Sequence, residues 1–348
     1  MATDIRSISY SQELAEGARN AIETCLRVRA DERVTVITDR ATATVAASLM
    51  AQVERLGGNG RVFVLEDFAA RPMKVMPLEI LFELGNSAVG IYAATPQPGE
   101  VFARGQAIRL ASKRKIRFGH MVGITEQVMM EAMRADFFAI NRMSLRLLRT
   151  LRETRHVRVT TAAGTNLEAF CQPPRYRWVK TSGLISRDIW GNLPGGEIFT
   201  CPASVNGVFV ANATIGDHFC EKYGDLERTP LIVKVKDGRL ESVYSDRRDL
   251  AEEFYDYCHS EENSDRVGEF AIGTNLSVKR FIGNMLQDEK HPGIHIAFGE
   301  PCGNLTGADW RAKTHVDLLT RGTNFWLDGV QYMADDRFLF DGDSTSAA

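Results

Sequence analysis

The sequence holds no stretch close to the roughly 18 uninterrupted apolar residues that cross a bilayer, so no membrane partner is expected. Charge of one sign is also lacking: the formal net charge is −3 over 348 residues. That balance gives no general attraction to nucleic acid or to an anionic lipid surface. The short basic run "KRK" at 113–115, beside Arg109 and Arg117, reads as a solvated loop or helix face, with a phosphate patch as the alternative. Cysteine is sparse. Cys25, Cys171, Cys201, Cys220, Cys258 and Cys302 form no C-x-x-C pair, which argues against a zinc knuckle or a disulfide frame and suits buried thiols in a reducing compartment. The opening "MATDIRSISYSQELAEGARNAIETCL" places Asp4 and Glu13 where a secretory leader needs a basic region and then an apolar core, so the expected location is cytoplasmic. Nucleophile signatures are missing too: there is no G-x-S-x-G, no H-E-x-x-H and no Cys-His pair with an orienting group. "GGNGR" (57–61) lies between a helix and a strand, the reverse of a dinucleotide loop, and reads as a helix C-cap and turn.

What is present is a globular composition, with 44% hydrophobic and 25% charged residues, in a chain long enough for two ordinary domains. Helical spacing over 11–28 predicts a helix with Ser11 as its N-cap. "ERVTVITD" (32–39) reads as a strand, "ATATVAASLMAQVERL" as a helix, "RVFVLED" (61–67) as a strand, and "PLEILFELGNSAVGIYAAT" repeats the pair. This alternation predicts an α/β domain over 1–150, a parallel sheet with flanking helices. From "HVRVTTAAGTNLEAF" onward, short alternating strands and glycine turns predict a β-rich α+β domain over 151–340. Asp237-Gly238 marks a hairpin, and "RRDLAEEFYDYCHS" (247–260) is the one helix among the strands. The tail 341–348 is expected to be disordered.

Several segments of this second part set a hard-cation ligand in a short strand bordered by glycine or proline. "LPGGEIFTCP" carries Glu197, "VGEFAIGTN" carries Glu269, "DEKHPGIHIAFGEP" carries Glu289, His291 and His295, and "KTHVDLL" carries His315 and Asp317. In an extended strand, residues two apart share a face, so His315 and Asp317 project side by side. A single acidic residue on a strand is usually solvated, and His291, before a proline, reads as a turn residue. His120, His156, His218 and His259 have no comparable acidic company. The apolar neighbours of Glu269 and His295 instead predict burial, and a buried carboxylate or imidazole needs a partner. A shared cation would satisfy them together, which leaves a metal site and solvated side chains as the two readings of these residues.

The ordered set "LPGGEIFTCP … SVNGVFV … GEFAIGTN … GNMLQDEKHPGIHIAFG … THVDLL … LDG" resembles the M29 family of metallo-aminopeptidases, in particular its shorter prokaryotic members, over roughly 160–330. The resemblance implies two divalent ions (zinc, cobalt, manganese or magnesium) held by Glu197, Glu269, His295, His315 and Asp317, with Glu269 bridging and Glu289 as general base. It implies a peptide or other small-molecule substrate and a homodimer. One family feature is missing: the tyrosine soon after the histidine motif has no counterpart in "AFGEPCGN". The same fold serves Fe(II) ring-cleaving dioxygenases of the dihydroxypyridine type, which share the H-x-D pair. Their other histidine falls nearest Ala271. A dioxygenase, another small-molecule metallohydrolase and a non-catalytic metal-binding protein are therefore the alternatives to the aminopeptidase.

Overall fold

The computed structural model describes residues 3–187 and 190–340; the tail expected to be disordered, 341–348, lies outside the described residues. The chain divides into two compact units, Met1–Asn141 with Gly183–Gly195, and Arg142–Ser182 with Gly196–Ala348. Its architecture is mixed α/β, with one parallel sheet and two antiparallel sheets.

In the first unit β1 (Arg33–Thr38), β2 (Asn59–Val64), β3 (Val89–Ala93) and β4 (Arg117–His120) lie parallel in the order β2-β1-β3-β4. Parallel strands are covered on both faces and read as continuous apolar runs; β3 is buried along its whole length. Helices Ala43–Arg55, Leu78–Gly85 and Val101–Arg114 make the crossovers between successive strands. The Gly57-Gly58 turn ends the first of these, as its sequence predicts: Gly57 has φ +76, and the two amides bond back to Glu54 and Val53. The helix expected over 11–28 is broken into a 3-10 turn (Gln12–Leu14), an α-turn (Ala15–Arg19) and a wider π-type stretch (Asn20–Cys25). Ser11 does cap it, accepting the Glu13 amide.

The second unit opens with β5 (His156–Thr160), β6 (Asn166–Phe170) and β7 (Val179–Thr181). The chain then returns to the first unit, where β8 (Gly191–Asn192) extends the parallel sheet beside β4. Next come β9 (Glu197–Thr200), β10 (Ser204–Ala211), β11 (Leu231–Lys236), β12 (Arg239–Tyr244), β13 (Val267–Gly273), β14 (Gly293–Gly299), β15 (His315–Leu319), β16 (Asn324–Leu327), β17 (Val330–Ala334) and β18 (Arg337–Phe338). One antiparallel sheet has the order β12-β11-β10-β6-β5-β16-β17-β18, and the other β15-β14-β13-β9-β7. Asp237 and Gly238 turn the β11–β12 hairpin with φ 51 and φ 74, the left-handed pair that a two-residue hairpin needs. Alternation sets the faces: Leu231, Val233 and Val235 are buried while Lys234 and Lys236 are exposed. The inner faces of both sheets share one core, which includes Val159, Phe209, Val233, Phe270, Ile296 and Leu318.

Candidate metal centre

Residues directly opposite each other in an antiparallel ladder point to one face, and residues two apart on a strand share it. Glu197 stands opposite Gly273; Ala271 stands opposite His295, and Glu269 opposite Ala297. Ala297 in turn stands opposite Asp317, and Gly299 opposite His315. Register therefore places Glu197, Glu269, His295, His315 and Asp317 on one face of the β15-β14-β13-β9-β7 sheet. The positions beside them on β13 and β14 are small, Ala271, Gly273, Ala297 and Gly299, which leaves room for the longer side chains to converge, while Phe199 and Leu319 flank the row opposite Ala271 and His295. The opposite face carries Ile198, Phe270, Ile272, Ile294, Ile296, Phe298, Val316 and Leu318, all in the core.

The glycines that border the acidic residues have a packing cause. Gly196, at φ +130, leads into β9 with its amide bonded to the Thr181 carbonyl at 2.7 Å and its own carbonyl accepting the Thr274 amide at 2.7 Å. A Cβ there would lie 2.6 Å from that of Asn275. Gly268 sits where the β13–β14 register slips between Val267 and Glu269, and a Cβ on it would meet the Gly299 carbonyl oxygen at 2.0 Å. The bulge aims Glu269 at the polar face.

Glu197, Glu269 and His295 are 6%, 7% and 2% exposed, and ligand atoms of the three all lie within 4.8 Å of one another. Nε2 of His295 is 3.8 Å from Glu197 Oε2 and 3.8 Å from Glu269 Oε1, and this buried nitrogen has no hydrogen-bond partner. Burial lowers the His295 pKa, which keeps the ring neutral, the form that ligates metals. Burial raises Glu269 to about 8, and the Asp317 and Glu197 carboxylates add to the rise while His315 and Lys290 oppose it. Crowded buried carboxylates and a partnerless imidazole nitrogen fit a divalent cation, which neutralises the first and bonds the second.

The H-x-D pair stands on the next strand, outside that trio. His315 Nε2 faces Asp317 Oδ1 at 3.4 Å, and its other nitrogen, Nδ1, lies 3.0 Å from the Glu300 carbonyl oxygen, to which it donates. A backbone carbonyl on one nitrogen fixes the ring and aims the other, the usual outer support of a ligating histidine. Asp317 is buried while the His315 side chain is 34% exposed. Desolvation opposes charge on both, but each stabilises the other, so that His315 rises to about 10 and Asp317 falls below the ordinary carboxylate range. Thr181 gives Glu197 a similar support, its hydroxyl donating to Oε1 at 2.9 Å.

Glu289 follows the short helix Met285–Asp288, with burial raising its pKa well above the ordinary value. It does not act alone. Lys290 is fully buried, with Nζ 2.8 Å from Glu197 Oε1 and bonded to Glu289 Oε1. Sequence reasoning passes over this lysine, because "QDEKH" carries no period that predicts burial. His291, read as a turn residue, is half-buried against the Phe281 ring, with centroids 4.5 Å apart. His120, read as ordinary, is buried in the first unit with Nδ1 2.8 Å from Asn192 Oδ1. The signal for it was the apolar run around β4.

The family model of the thermophilic metalloproteases (M29) matches residues 130–326. No curated protein matches the sequence. Among solved structures, 2,5-dihydroxypyridine dioxygenase from Pseudomonas putida KT2440 is similar at 16% identity and a TM-score of 0.70, covering 97% of this chain and 100% of its own. Wild-type AmpT from Thermus thermophilus is similar at 16% identity and a TM-score of 0.68, covering 95% and 100%. Likeness at that identity establishes a shared fold.

Proposed function

The chain belongs to the M29 family of thermophilic metalloproteases, and from that premise we propose that it is a metal-dependent aminopeptidase that removes N-terminal residues from peptides. The observation that carries this reading is the partnerless Nε2 of His295 between two buried carboxylates. Glu197, Glu269 and His295 would hold the metal, with His315 and Asp317 completing the donor set. Such a set suits zinc, cobalt, manganese or magnesium. A bound divalent ion supplies Lewis acidity toward the scissile carbonyl and makes water acidic enough to attack near neutral pH.

The chain's own groups do the rest. Glu289, whose ionised form the Lys290 ammonium favours, takes the proton of the attacking water and returns it to the leaving amine. Lys290 holds Glu289 in place through its ion pair. Glu197 is held by Thr181 and Lys290 and keeps Oε2 on the His295 side. The M29 resemblance implies a pair of ions, with Glu269 between them.

Ring-cleaving dioxygenase chemistry is the second reading, on the strength of the shared fold. Ala271 weighs against it: the methyl paired across the ladder with His295 offers no donor where that enzyme type has its other histidine. A panel of aminoacyl-nitroanilides and hydroxylated pyridines, assayed with each metal in turn, separates the two. The expected outcome is nitroanilide release that Glu269→Gln reduces to the buffer blank. Oxygen uptake on a dihydroxylated ring, with iron alone, sinks the aminopeptidase. Assembly as a homodimer belongs to the same proposal and is checked by sedimentation.

A further inference from the structure

We propose that the solvent face of the helices Leu78–Gly85 and Val101–Arg114 is where a second copy of this chain docks, the two copies being related by a two-fold axis. The inference rests on the homodimer reading above and names its surface.

The helix Leu78–Gly85 is apolar on two sides. Ile80 and Leu84, four apart, enter the core of the first unit. Leu78 and Phe82, also four apart, are 83% and 73% exposed. A surface helix ordinarily turns one apolar stripe inward and a polar side outward, and a helix apolar all round is a covered one. The neighbouring helix continues the outward face. Phe102 is 58% exposed, and the Arg109 guanidinium lies 5.3 Å from the centre of its ring. Between the two helices is an open hollow of about 620 Å³, lined by Leu78, Leu81, Phe82, Gln106, Arg109 and Leu110. Leu78, Phe82 and Phe102 together offer on the order of 400 Å² of apolar surface. A standard dimer buries about 800 Å² per partner, a little over half of it apolar, so the patch is of the size that a stable contact needs.

Charge indicates what covers it. The helix Leu78–Gly85 carries Glu79 and Glu83 and no basic residue, while Val101–Arg114 carries Arg104, Arg109, Lys113 and Arg114 and no acidic one. Glu83 is taken up by Arg61 at 3.0 Å. That leaves Glu79 as the exposed acid of the first helix and Arg109 as the exposed base at the hollow. A two-fold contact is self-complementary, so an axis through the hollow lays the acidic helix of one copy on the basic helix of the other. Glu79 then meets Arg109 of the partner subunit, and Arg109 meets Glu79 of the partner subunit, with the Phe82 rings between them. Aromatic side chains at the centre and charges at the rim are the common anatomy of an interface. An anionic lipid surface would attract the basic helix but repel Glu79, so the mixed signs favour a second copy.

Sedimentation equilibrium of the full chain tests the surface. The unaltered chain is expected at twice its 38.7 kDa. Phe82→Glu, and independently Leu78→Glu, should sediment at the single-chain mass with unchanged far-UV circular dichroism. Glu79→Arg and Arg109→Glu should each weaken the dimer about tenfold, since the axis counts each change twice. The double variant, which exchanges the two charges, should regain it. A monomeric unaltered chain overturns both the homodimer reading and this surface. A dimer that survives Phe82→Glu and Leu78→Glu overturns the surface alone, and so does a double variant no tighter than the single ones. Flotation of the unaltered chain with phosphatidylserine vesicles, lost in Phe82→Glu, gives the face to lipid and overturns the proposal as well.

Discussion

A buried polar side chain on the face that carries Glu197, Glu269 and His295 needs a partner for its polar atoms, because burial removes water from them. Thr181 shows how one neighbour matters. Its hydroxyl donates to Glu197 Oε1, so one oxygen is occupied and the other is aimed. Outer supports of this kind typically alter metal affinity by about 10–100-fold. Thr181→Val is therefore expected to weaken metal binding by about that factor while leaving the fold intact, as read by competition with a chromogenic chelator. Unchanged affinity would mean that Lys290 alone orients Glu197. The residue types in this cluster are legible from the chain, since Glu269 and His295 sit within apolar runs that predict burial. Lys290 is not legible, because nothing in "QDEKH" distinguishes a lysine in a solvated turn from one enclosed by carboxylates.

Each strand bearing a donor has two faces, and the pattern along it tells them apart. In β14, Ile294, Ile296 and Phe298 enter the core and His295 and Ala297 do not. The same holds for β15, where Val316 and Leu318 face the core and Asp317 the polar side. Glycine placement supports these strands as much as the apolar residues do. Gly268→Ala would push a methyl against the Gly299 carbonyl oxygen, 2.0 Å away, and close the bulge that precedes Glu269. Overpacking of this kind costs about 1–3 kcal/mol. A drop in urea midpoint together with loss of bound metal is expected. A variant with the wild-type midpoint would show that the bulge yields without strain. The hairpin at Asp237-Gly238 was legible for a related reason, since left-handed turn residues between alternating runs have few other uses.

For the whole molecule, stability in acid draws on the first unit. There Arg71, 6% exposed at its side chain, binds Asp39 and also Glu100, at 2.9 Å from Nε. Burial would raise both carboxyls, but the Thr95 and Thr42 hydrogen bonds bring Asp39 below its ordinary value, and Arg71 and the Met73 amide do so for Glu100. Groups whose folded pKa is lowered add stability that is complete above the unfolded range, around pH 4, and lost as pH falls through the folded values. Urea midpoints of the wild type should therefore fall below about pH 4. Arg71→Met should lose about 3–5 kcal/mol at neutral pH, because it strands two buried carboxylates. It should lose less on acidification, since those carboxylates then gain by protonation. Parallel pH curves for variant and wild type would count against the triad as the source. At this scale the alternation of strands and helices announced the parallel sheet. The return of Gly183–Gly195 to the first unit did not announce itself, because β8 spans only Gly191–Asn192, too short for any period.

By itself the sequence determined which residues alternate, which turns could form and which ligand types fall on short buried strands, since these depend on local geometry and on burial. Tertiary structure decided which strands lie side by side. It set Glu269 beside Ala297 and Asp317 in one row, and it brought Lys290 against Glu197 from a segment far away in the chain. The physical reason is that a strand's own pattern settles the face a side chain takes, whereas its neighbours follow from how the whole core packs.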